Sequence, residues 1–437
     1  MWQTHRHRVL IVGGGFAGLN CARALRRADC EVMLLDRRNF HLFQPLLYQV
    51  ATGGLSPANI AAPLRSILRG QRNIQVHLAE VEAFDLDENK VFLSDGEVEF
   101  DTLVVAAGTT HSYFGNDAWA RWAPGLKTVE EALEIRHRIY RAFEEAERAT
   151  DRGRARMLTT FVVVGAGPTG VELAGTLKEI ADHTLAEDFQ SIDPGKTEVI
   201  LLDLAERVLP SYSPELSGKA LGMLEDIGVH VRTGVRVTEI AEDAVTIEED
   251  GQPRTIEARN VLWAAGVRAS SLATKLAEAA QCDQDVMGRI AVDDQLAIPN
   301  HSNVFVLGDM AHSTGVDDTP LPGIAPVAIQ QGKYAAQAIQ ARLNNSTPNA
   351  FRYIDRGMMA TIGRASAVAK IGRFEYGGFA AWITWLLVHL MFLVAFQNRA
   401  LVFMQWGWHY FTWNRAARLI TGELTSTHRP RKDDTSE

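Results

Sequence analysis

The chain has 437 residues, 46% hydrophobic and 22% charged, and a formal net charge of −9 at pH 7. This size indicates two or three globular domains, since domains commonly have on the order of 100 to 200 residues, and the composition excludes extensive disorder. The negative charge excludes long-range attraction to nucleic acid, and three cysteines, Cys21, Cys30 and Cys282, cannot supply the four thiolates of an iron–sulfur cluster.

The first predicted elements form a dinucleotide-binding unit. A short polar arm without a secretory signal leads into an aliphatic run at residues 8–12, which is typical of a buried parallel strand. Gly13, Gly15 and Gly18 then fit the pattern G-x-G-x-x-G and open a predicted helix at residues 19–27. The first glycine permits the turn, the second lets the backbone approach a pyrophosphate, and the third lets helix and strand pack closely.

A carboxylate completes this unit. A second predicted strand, at residues 31–35, ends in Asp36, which lies 18 residues beyond Gly18. An acidic side chain at this distance can accept a hydrogen bond from a ribose 2′-OH. Glycine turns also occur for purely structural reasons, but strand, triplet, helix, strand and acid in this order favour a dinucleotide site.

The same pattern returns in the middle of the chain. An aliphatic strand at residues 161–164 is followed by Gly165, Gly167 and Gly170 and by a predicted helix at residues 171–180. The order of elements matches that of the first unit. We therefore expect a second dinucleotide site on the same polypeptide.

An acidic residue also follows the second strand of this unit. The predicted strand at residues 198–202 ends in Asp203, whose carboxylate would repel a 2′-phosphate and therefore favours NADH over NADPH. The 33 residues between Gly170 and Asp203 are a long spacing, which an extended helix and loop through about Gly195 would accommodate.

Glu172 lies two residues beyond Gly170, in the first turn of the second predicted helix. Two interpretations stay open for it. Glutamate is common in first turns because it complements the helix dipole. Alternatively, Glu172 lies near the reacting groups and handles charge or a proton.

Three further aliphatic strands return toward the two sites. Residues 102–108 and 260–266 each end in Ala-Ala-Gly, where small side chains let the backbone pass close to a cofactor, and residues 303–309 end in Gly-Asp. Between them, residues 76–93 and 229–247 alternate in the manner of antiparallel strands.

With two such units and the Gly308-Asp309 turn, residues 8–340 resemble flavoprotein reductases of the glutathione reductase type. The resemblance implies an α/β fold with two Rossmann-like domains, FAD in the first and NADH in the second, and an Asp309 that hydrogen-bonds the flavin ribityl chain. The implied FAD contacts are Gly13, Gly15, Phe16, Ala17, Gly18, Asp36, Arg37, Val81, Ala107, Gly108, Gly308, Asp309 and Ala325. The implied NADH contacts are Gly165, Gly167, Pro168, Thr169, Gly170, Glu172, Asp203, Ala265 and Gly266.

Disulfide reductases of this type carry a cysteine pair against the flavin, and this chain has none. Residues 39–63 and 321–332 instead resemble type II NADH:quinone oxidoreductases, in which an Ala-Gln-x-Ala-x-Gln motif lines a quinone tunnel. Ala325, Ala328 and Gln330 match this motif, whereas Pro326 replaces its first glutamine. The resemblance implies catalytic roles for Glu172 and Gln330, no metal, and the quinone contacts Gln49, Pro326, Ile329 and Gln330.

A tryptophan-rich apolar region follows. Residues 379–396 include no formal charge, and five of the nine tryptophans, Trp382, Trp385, Trp406, Trp408 and Trp413, lie in or beside this region. A buried core helix, a single membrane span and a pair of interfacial helices are all compatible with this pattern. The family resemblance favours the interfacial pair, with Arg399, Arg415 and Arg418 at the depth of the lipid headgroups.

These predictions divide the chain into five segments: 1–120 and 271–345 for FAD, 121–270 for NADH, 346–422 for membrane association, and a tail at 423–437. We expect a peripheral enzyme on the cytoplasmic face of the inner membrane that passes electrons from NADH through FAD to a membrane quinone without pumping protons. A homodimer is compatible with this interpretation. The alternatives are an NADH-dependent reductase of a small redox protein and an NADH-sensing flavoprotein that binds a partner.

Overall fold

The computed structural model describes residues 2, 6–315, 317–394, 396–413, 415 and 417–420, without the side chains of residues 396 and 397. The predicted tail at 423–437 lies outside the described residues. The strands are β1 His7–Val12, β2 Cys30–Asp36, β3 Phe40–Leu42, β4 Ala61–Pro63, β5 Ile74–Leu78, β6 Val81–Asp85, β7 Lys90–Leu93, β8 Gly96–Glu99, β9 Thr102–Val105, β10 Thr109–His111, β11 Thr160–Val164, β12 Glu198–Leu202, β13 Val229–Arg232, β14 Arg236–Ile240, β15 Ala244–Glu249, β16 Gln252–Glu257, β17 Asn260–Trp263, β18 Val267–Ala269, β19 Ile290–Ala291, β20 Ala297–Ile298, β21 His301–Val306, β22 Ala311–His312, β23 Met358–Gly363, β24 Ser366–Ile371 and β25 Phe374–Gly377. The helices are α1 Phe16–Ala24, α2 Leu47–Ala51, α3 Pro57–Ile60, α4 Leu64–Ile67, α5 Val129–Glu147, α6 Arg152–Leu158, α7 Pro168–Glu179, α8 Pro214–Asp226, α9 Ser271–Ala280, α10 Ala325–Leu343, α11 Phe379–Phe392 and α12 Phe396–Thr412.

Two sheets organise the molecule. The first has the order β20-β21-β9-β1-β2-β5, and all of its strands are parallel except β20. The second has the order β13-β12-β11-β17 and is parallel throughout. In each sheet, the strand before the glycine turn lies between two parallel neighbours, where an open α/β sheet places its ligand site. The predicted α/β fold with two Rossmann-like units is confirmed.

The first sheet is buried on both faces because its central strands have no polar side. In β1, Val9 and Ile11 pack with α1 and α10, whereas Leu10 and Val12 pack on the opposite face with α9 and the β6–β8 meander. Side chains of a strand point alternately to its two faces, so a continuous aliphatic run supplies both cores. The first glycine turn is thereby held on a rigid support.

The two stretches predicted to form antiparallel strands each begin with a strand that is parallel to its neighbour instead. The first strand in residues 76–93 belongs to β5, which runs parallel to β2, and the first strand in residues 229–247 is β13, parallel to β12. The remaining strands of both stretches form the expected antiparallel meanders β6–β8 and β14–β16. Both misread strands are edge strands with partly exposed side chains, so they alternate as antiparallel strands do.

The apolar run at residues 379–396 forms parts of two helices instead of one. α11 ends at Phe392 after 14 residues, and α12 begins at Phe396. α11 packs against the β23–β25 sheet through Ala381 and Trp385, while Phe379, Leu387 and Met391 are exposed. A helix that is long and apolar enough to cross a bilayer is absent from the described part of the chain. The boundaries of the five segments stay a prediction.

Candidate active site

The glycine turn after β1 is shaped by contacts that a larger residue could not make. Gly13 has φ +105°, in the region that favours glycine, and a Cβ at Gly18 would overlap the carbonyl oxygen of Gly13. At Gly15, in contrast, a Cβ would meet no protein atom within 4 Å. Gly13 and Gly18 therefore serve the packing of strand and helix, whereas Gly15 leaves space for a ligand.

Asp36 holds this turn in place. Its two carboxylate oxygens accept hydrogen bonds from the backbone N–H groups of Gly14, at 2.5 Å, and Arg38, at 2.7 Å. Burial raises the pKa of Asp36 in spite of these donors. The carboxylate thus supports the glycine turn directly, and Asp36 also lines the neighbouring cavity, where its oxygens could accept a further hydrogen bond from a ribose hydroxyl.

A cavity of about 1220 Å³ opens beside the turn. This volume exceeds the roughly 300–1,000 Å³ that is typical of small-molecule sites, as a dinucleotide requires. Of the predicted FAD contacts, Gly18 and Ala325 do not line the cavity, because Gly18 packs on Gly13 and Ala328 takes the place of Ala325. The predicted contacts that line it are Gly13, Gly15, Phe16, Ala17, Asp36, Arg37, Val81, Ala107, Gly108, Gly308 and Asp309.

The structure adds polar residues that the sequence patterns did not reveal. Lys127 donates from its ammonium to Thr109 Oγ1 at 3.2 Å, and Thr109 donates to Asp309 Oδ2 at 3.4 Å. All three line the cavity, and Lys127 has no carboxylate ion pair among the described residues. A cation without an acidic partner is suited to a ligand phosphate. Lys127 comes from a loop that carries no motif, so only the fold identifies it.

Gln331, the neighbour of the predicted Gln330, also supports this cavity. Its fully buried side chain accepts from the N–H of Gly308 at 2.6 Å and donates to Ser313 Oγ at 2.8 Å. Ala328, Gln331, Gly332 and Ala335 are buried on one side of α10, at the spacing of a helix face. The helical period would have selected Gln331 as the inward-facing glutamine.

The second glycine turn repeats the first. Gly165 has φ +105°, a Cβ at Gly170 would overlap the carbonyl oxygen of Gly165, and Gly167 has no protein atom near its Cβ position. Asp203 accepts hydrogen bonds from the backbone N–H groups of Ala166 and Ala205. A π-helical turn at Ile180–Thr184 and a 3-10 turn at Pro194–Lys196 fill the long spacing before Asp203.

The other predicted NADH contacts lie around this turn. Pro168 and Thr169 begin α7, and a Cβ at Gly165 would meet the backbone N of Ala265 at 2.6 Å. Gly266, with φ +71°, lies against the ring of Phe114, which is 68% exposed. The structure therefore brings Ala265 and Gly266 to the turn, and Phe114 is a neighbour that no sequence pattern indicated.

Glu172 is buried on α7, with the N–H of Thr361 3.5 Å from its Oε1. Burial raises the pKa of Glu172 to about 8, because a carboxylate loses its hydration in an apolar environment. The side chain therefore holds a proton at neutral pH. The predicted place of Glu172 in the first turn is wrong, because α7 already begins at Pro168 and has no acidic residue in its first turn. A role that only complements the helix dipole is therefore not supported, since such a residue would lie in the first turn and would be charged and hydrated.

A second, smaller cavity of about 110 Å³ lies between α7 and the C-terminal helices. Its walls include Tyr48 and the predicted quinone contact Gln49, which donates to the Tyr48 hydroxyl at 2.9 Å and accepts from Trp406 Nε1 at 2.8 Å. The remaining lining residues are Gly54, Thr176, Glu179, Thr361, Gly363, Arg364, Trp382, Trp385, Leu386, Trp406, His409, Tyr410, Trp413 and Arg415.

Comparison with known sequences agrees with this geometry. Residues 7–332 match the family model described as pyridine nucleotide-disulphide oxidoreductase. The chain is 46% identical over 426 residues to the type II NADH:quinone oxidoreductase Ndh of Mycobacterium tuberculosis, covering 96% of this chain and 91% of the relative. It is 30% identical to the type II NADH:quinone oxidoreductase of Staphylococcus aureus, covering 84% and 90% of the two chains.

The chain belongs to the type II NADH:quinone oxidoreductase family. The structure of NDH2 from Plasmodium falciparum in complex with NADH superposes with a TM-score of 0.85 at 16% identity, covering 95% of this chain and all of that one. The sulfide:quinone oxidoreductase of Aquifex aeolicus gives 0.73 at 18% identity, covering 90% and 92% of the two chains. At these identities the superpositions establish the fold alone.

In this family member the predicted quinone motif is only partly assembled. Gln330 donates to the carbonyl of Ile354 at 2.9 Å and accepts from the N–H of the same residue at 3.0 Å. Its amide is thus engaged with the chain before β23, and neither Gln330, Pro326 nor Ile329 lines the two cavities. A contact between Gln330 and a quinone stays a prediction. It would require the Gln330 amide to give up its two hydrogen bonds with Ile354.

We expect Glu172→Gln to change how stability depends on pH. The folded protein binds the Glu172 proton more tightly than the unfolded chain, since the pKa is about 8 in place of 4.5. Wild-type stability should therefore fall from about pH 4.5 to pH 8, by on the order of 1.4 kcal/mol per pKa unit. The variant lacks this loss, so its thermal midpoint should exceed that of the wild type at pH 8 but not at pH 5. If the thermal midpoint depended on pH in the same way in the wild type, in Glu172→Gln and in the exposed control Glu187→Gln, the raised pKa of Glu172 would be contradicted.

Proposed function

We propose that this protein oxidises NADH and reduces a membrane quinone, with FAD in the larger cavity carrying two electrons between the substrates. The observation that carries the proposal is the pair of glycine turns, each with an open central glycine and a supporting aspartate, on one chain. Membership in the type II NADH:quinone oxidoreductase family supports the same activity. The order of the two units, FAD before NADH, rests on the glutathione reductase-like arrangement of the chain.

The residues of the larger cavity suit FAD. Gly15 would receive the pyrophosphate at the start of α1, where free N–H groups and the helix dipole favour an anion. Lys127 offers a cation for a phosphate, and Asp309 beside Gly308 offers an acceptor for a ribityl hydroxyl. When bound, the flavin accepts a hydride equivalent and releases two electrons, while the protein orients the substrates.

The second turn suits NADH. Gly167 leaves room for a pyrophosphate at the start of α7. Asp203 would face the adenine ribose as a carboxylate, which disfavours the 2′-phosphate of NADPH by charge repulsion. Glu172 follows on the same helix, where its buried side chain would hold a proton for the reaction.

The smaller cavity is the part of the protein that we assign to the quinone side. A row of rings links it to the FAD cavity, with ring centroids separated by 5.8 Å between Phe16 and Phe43, 6.2 Å between Phe43 and His389, and 4.4 Å between His389 and Trp385. Phe16 lines the larger cavity and Trp385 the smaller one. Aromatic rings of this kind can contact a quinone ring, and the cavity of about 110 Å³ would have to widen to admit one.

We further propose that α11 and α12 rest on a bilayer surface, at the cytoplasmic face of the inner membrane. Their exposed side chains include several large apolar residues, a surface that water does not favour. These residues are Phe379, Leu387, Met391, Phe392, Phe403, Met404, Trp408 and Phe411. Two of the predicted headgroup contacts face the body instead, since Arg415 pairs with Glu179 and Arg418 with Asp188.

Alanine substitution of Gly15 and of Gly167 tests which of the two units binds FAD and which binds NADH. Gly15→Ala should fold, because its methyl group meets no protein atom, but should lose most of its flavin while still binding NADH. Gly167→Ala should keep its flavin and bind NADH at least about tenfold more weakly, since the methyl displaces a phosphate. Flavin absorbance per chain and NADH titration by fluorescence measure both. The opposite pattern of losses would reverse the assignment.

Anaerobic stopped-flow mixing tests the activity. NADH should bleach the flavin absorbance of the purified protein, and a soluble quinone should then restore it. NADPH should bleach it at least about tenfold more slowly because of Asp203. Fast bleaching that a quinone does not reverse would point to a different acceptor, such as a small redox protein or a binding partner.

Substitution of exposed residues on α12 tests membrane docking. Met404→Ser with Phe411→Ser should weaken flotation with vesicles by at least about tenfold, since each buried apolar side chain contributes roughly 1.5–3 kcal/mol. Val286→Ser, a substitution of a fully exposed residue outside these helices, is the control. Wild-type protein should leave the vesicles in chaotrope without detergent. Retention under chaotrope and high pH, or unchanged flotation of the double variant, would count against surface docking.

A further inference from the structure

Phe114 combines two features that are uncommon for a phenylalanine. Its side chain is 68% exposed, although its neighbours Tyr113 and Trp263 are buried. Its backbone has φ +52°, in the left-handed region that a bulky residue rarely adopts. A single exposed apolar residue is ordinary, but strained backbone positions cluster at ligand and active sites. The ring is therefore a candidate ligand contact.

Hydrogen bonds fix the loop that carries this ring. The Phe114 N–H donates to Ser112 Oγ at 3.3 Å. Ser112 in turn donates its N–H to the carbonyl of Gly266 at 3.3 Å, and its own carbonyl accepts from Trp263 Nε1 at 3.0 Å. Tyr113 packs on Trp263, with 5.1 Å between the ring centroids. The base of the loop is thus anchored on the second Rossmann unit, while the Phe114 ring stays at the surface.

The ring lies where Gly266 has no side chain. A Cβ at Gly266 would be 2.4 Å from Cζ of Phe114, a distance that real Cβ atoms do not reach, so this approach requires glycine. The ring centroid of Phe114 lies 6.3 Å from that of Trp263. Phe114 therefore contacts both residues and still leaves most of its surface free for a ligand.

The order of the strands indicates which half of NADH would meet Gly266. β17, which ends shortly before Gly266, and β12, which ends before Asp203, lie on opposite sides of β11. With the adenosine ribose at Asp203 and the pyrophosphate at Gly167, the nicotinamide half extends over the end of β17. This step rests on the proposed function.

The same direction leads from the second glycine turn to the larger cavity. β18 follows Gly266 and pairs antiparallel with β10. Thr109 and Thr110 of β10 line the larger cavity, as do Arg268 and Ala269 of β18. Gly266 therefore lies between the two nucleotide sites, where the hydride would pass from NADH to FAD.

We propose that the Phe114 ring covers the nicotinamide half of NADH and holds it toward the flavin. A nicotinamide nucleoside over Gly266 would bury the free surface of the phenylalanine, and contacts between aromatic rings are favourable. Asp203 and Gly167 would contact only those parts of NADH that ADP-ribose also contains. Phe114 would thus bind the reacting half, and a nicotinamide ring that is held in place transfers its hydride faster.

The holoenzyme with Phe114→Gly tests this role, because glycine adopts a positive φ without strain and the loop should keep its shape. In anaerobic stopped-flow mixing, the NADH concentration that half-saturates flavin bleaching should rise by at least about tenfold, since the ring contact is lost. The limiting bleaching rate should also fall. The inhibition constant of ADP-ribose, as a competitor of NADH, should stay within about twofold of the wild-type value, because its contacts lie elsewhere.

Two further variants separate this contact from a structural role. Phe114→Tyr keeps the ring and should restore both NADH parameters. Leu204→Ser changes a residue that is 60% exposed beside Asp203, at the adenosine end, and should weaken NADH and ADP-ribose alike.

Four results would overturn the role of Phe114: unchanged NADH kinetics in Phe114→Gly, equal weakening of NADH and ADP-ribose in that variant, loss of its flavin absorbance, or a selective loss of NADH in Leu204→Ser. A wild-type flavin that NADH does not bleach would instead overturn the proposed function.

Discussion

The architecture depends on one close backbone contact that occurs twice. In each Rossmann unit the third glycine lies so near the carbonyl of the first that no side chain fits, and an aspartate from the next strand binds the N–H between them. Strand, turn and helix are thereby locked at the carboxyl end of a central strand of a buried parallel sheet. The middle glycine of each turn, Gly15 or Gly167, is left without protein atoms around its Cβ position, which leaves space for a ligand.

Desolvation determines the chemistry around these turns. Glu172 and Glu179 lie on a helix that packs against β23 and the C-terminal segment, and burial raises the pKa of both. Burial disfavours the charged form of a carboxyl group, so both side chains bind a proton more readily than a glutamate on the surface would. The C-terminal segment therefore does more than offer an apolar surface, since it removes water from α7 and brings Arg415 to Glu179.

Local patterns indicated many of the residues that the structure brings together, and they left the orientation of others open. The glycine triplets, both aspartates and the Gly308-Asp309 turn follow from short-range sequence order, and they meet where parallel strands end. Gln330 was selected from a motif match, yet its amide binds Ile354, and the buried Gln331 supports Gly308 instead. Motif position does not specify which side of a helix faces the cavity, because that depends on how α10 packs on α1.

By itself, the sequence determined the two Rossmann-like units, the family and the apolar character of the C-terminal region. These properties are encoded in residues that are close together in the chain, through periodicity and steric limits of the backbone. Only the tertiary structure decided that the apolar run turns at Leu393, that Lys127 reaches the larger cavity, and that Arg415 pairs with Glu179, 236 residues away. Such pairings depend on the packing of distant segments, which local spacing does not specify.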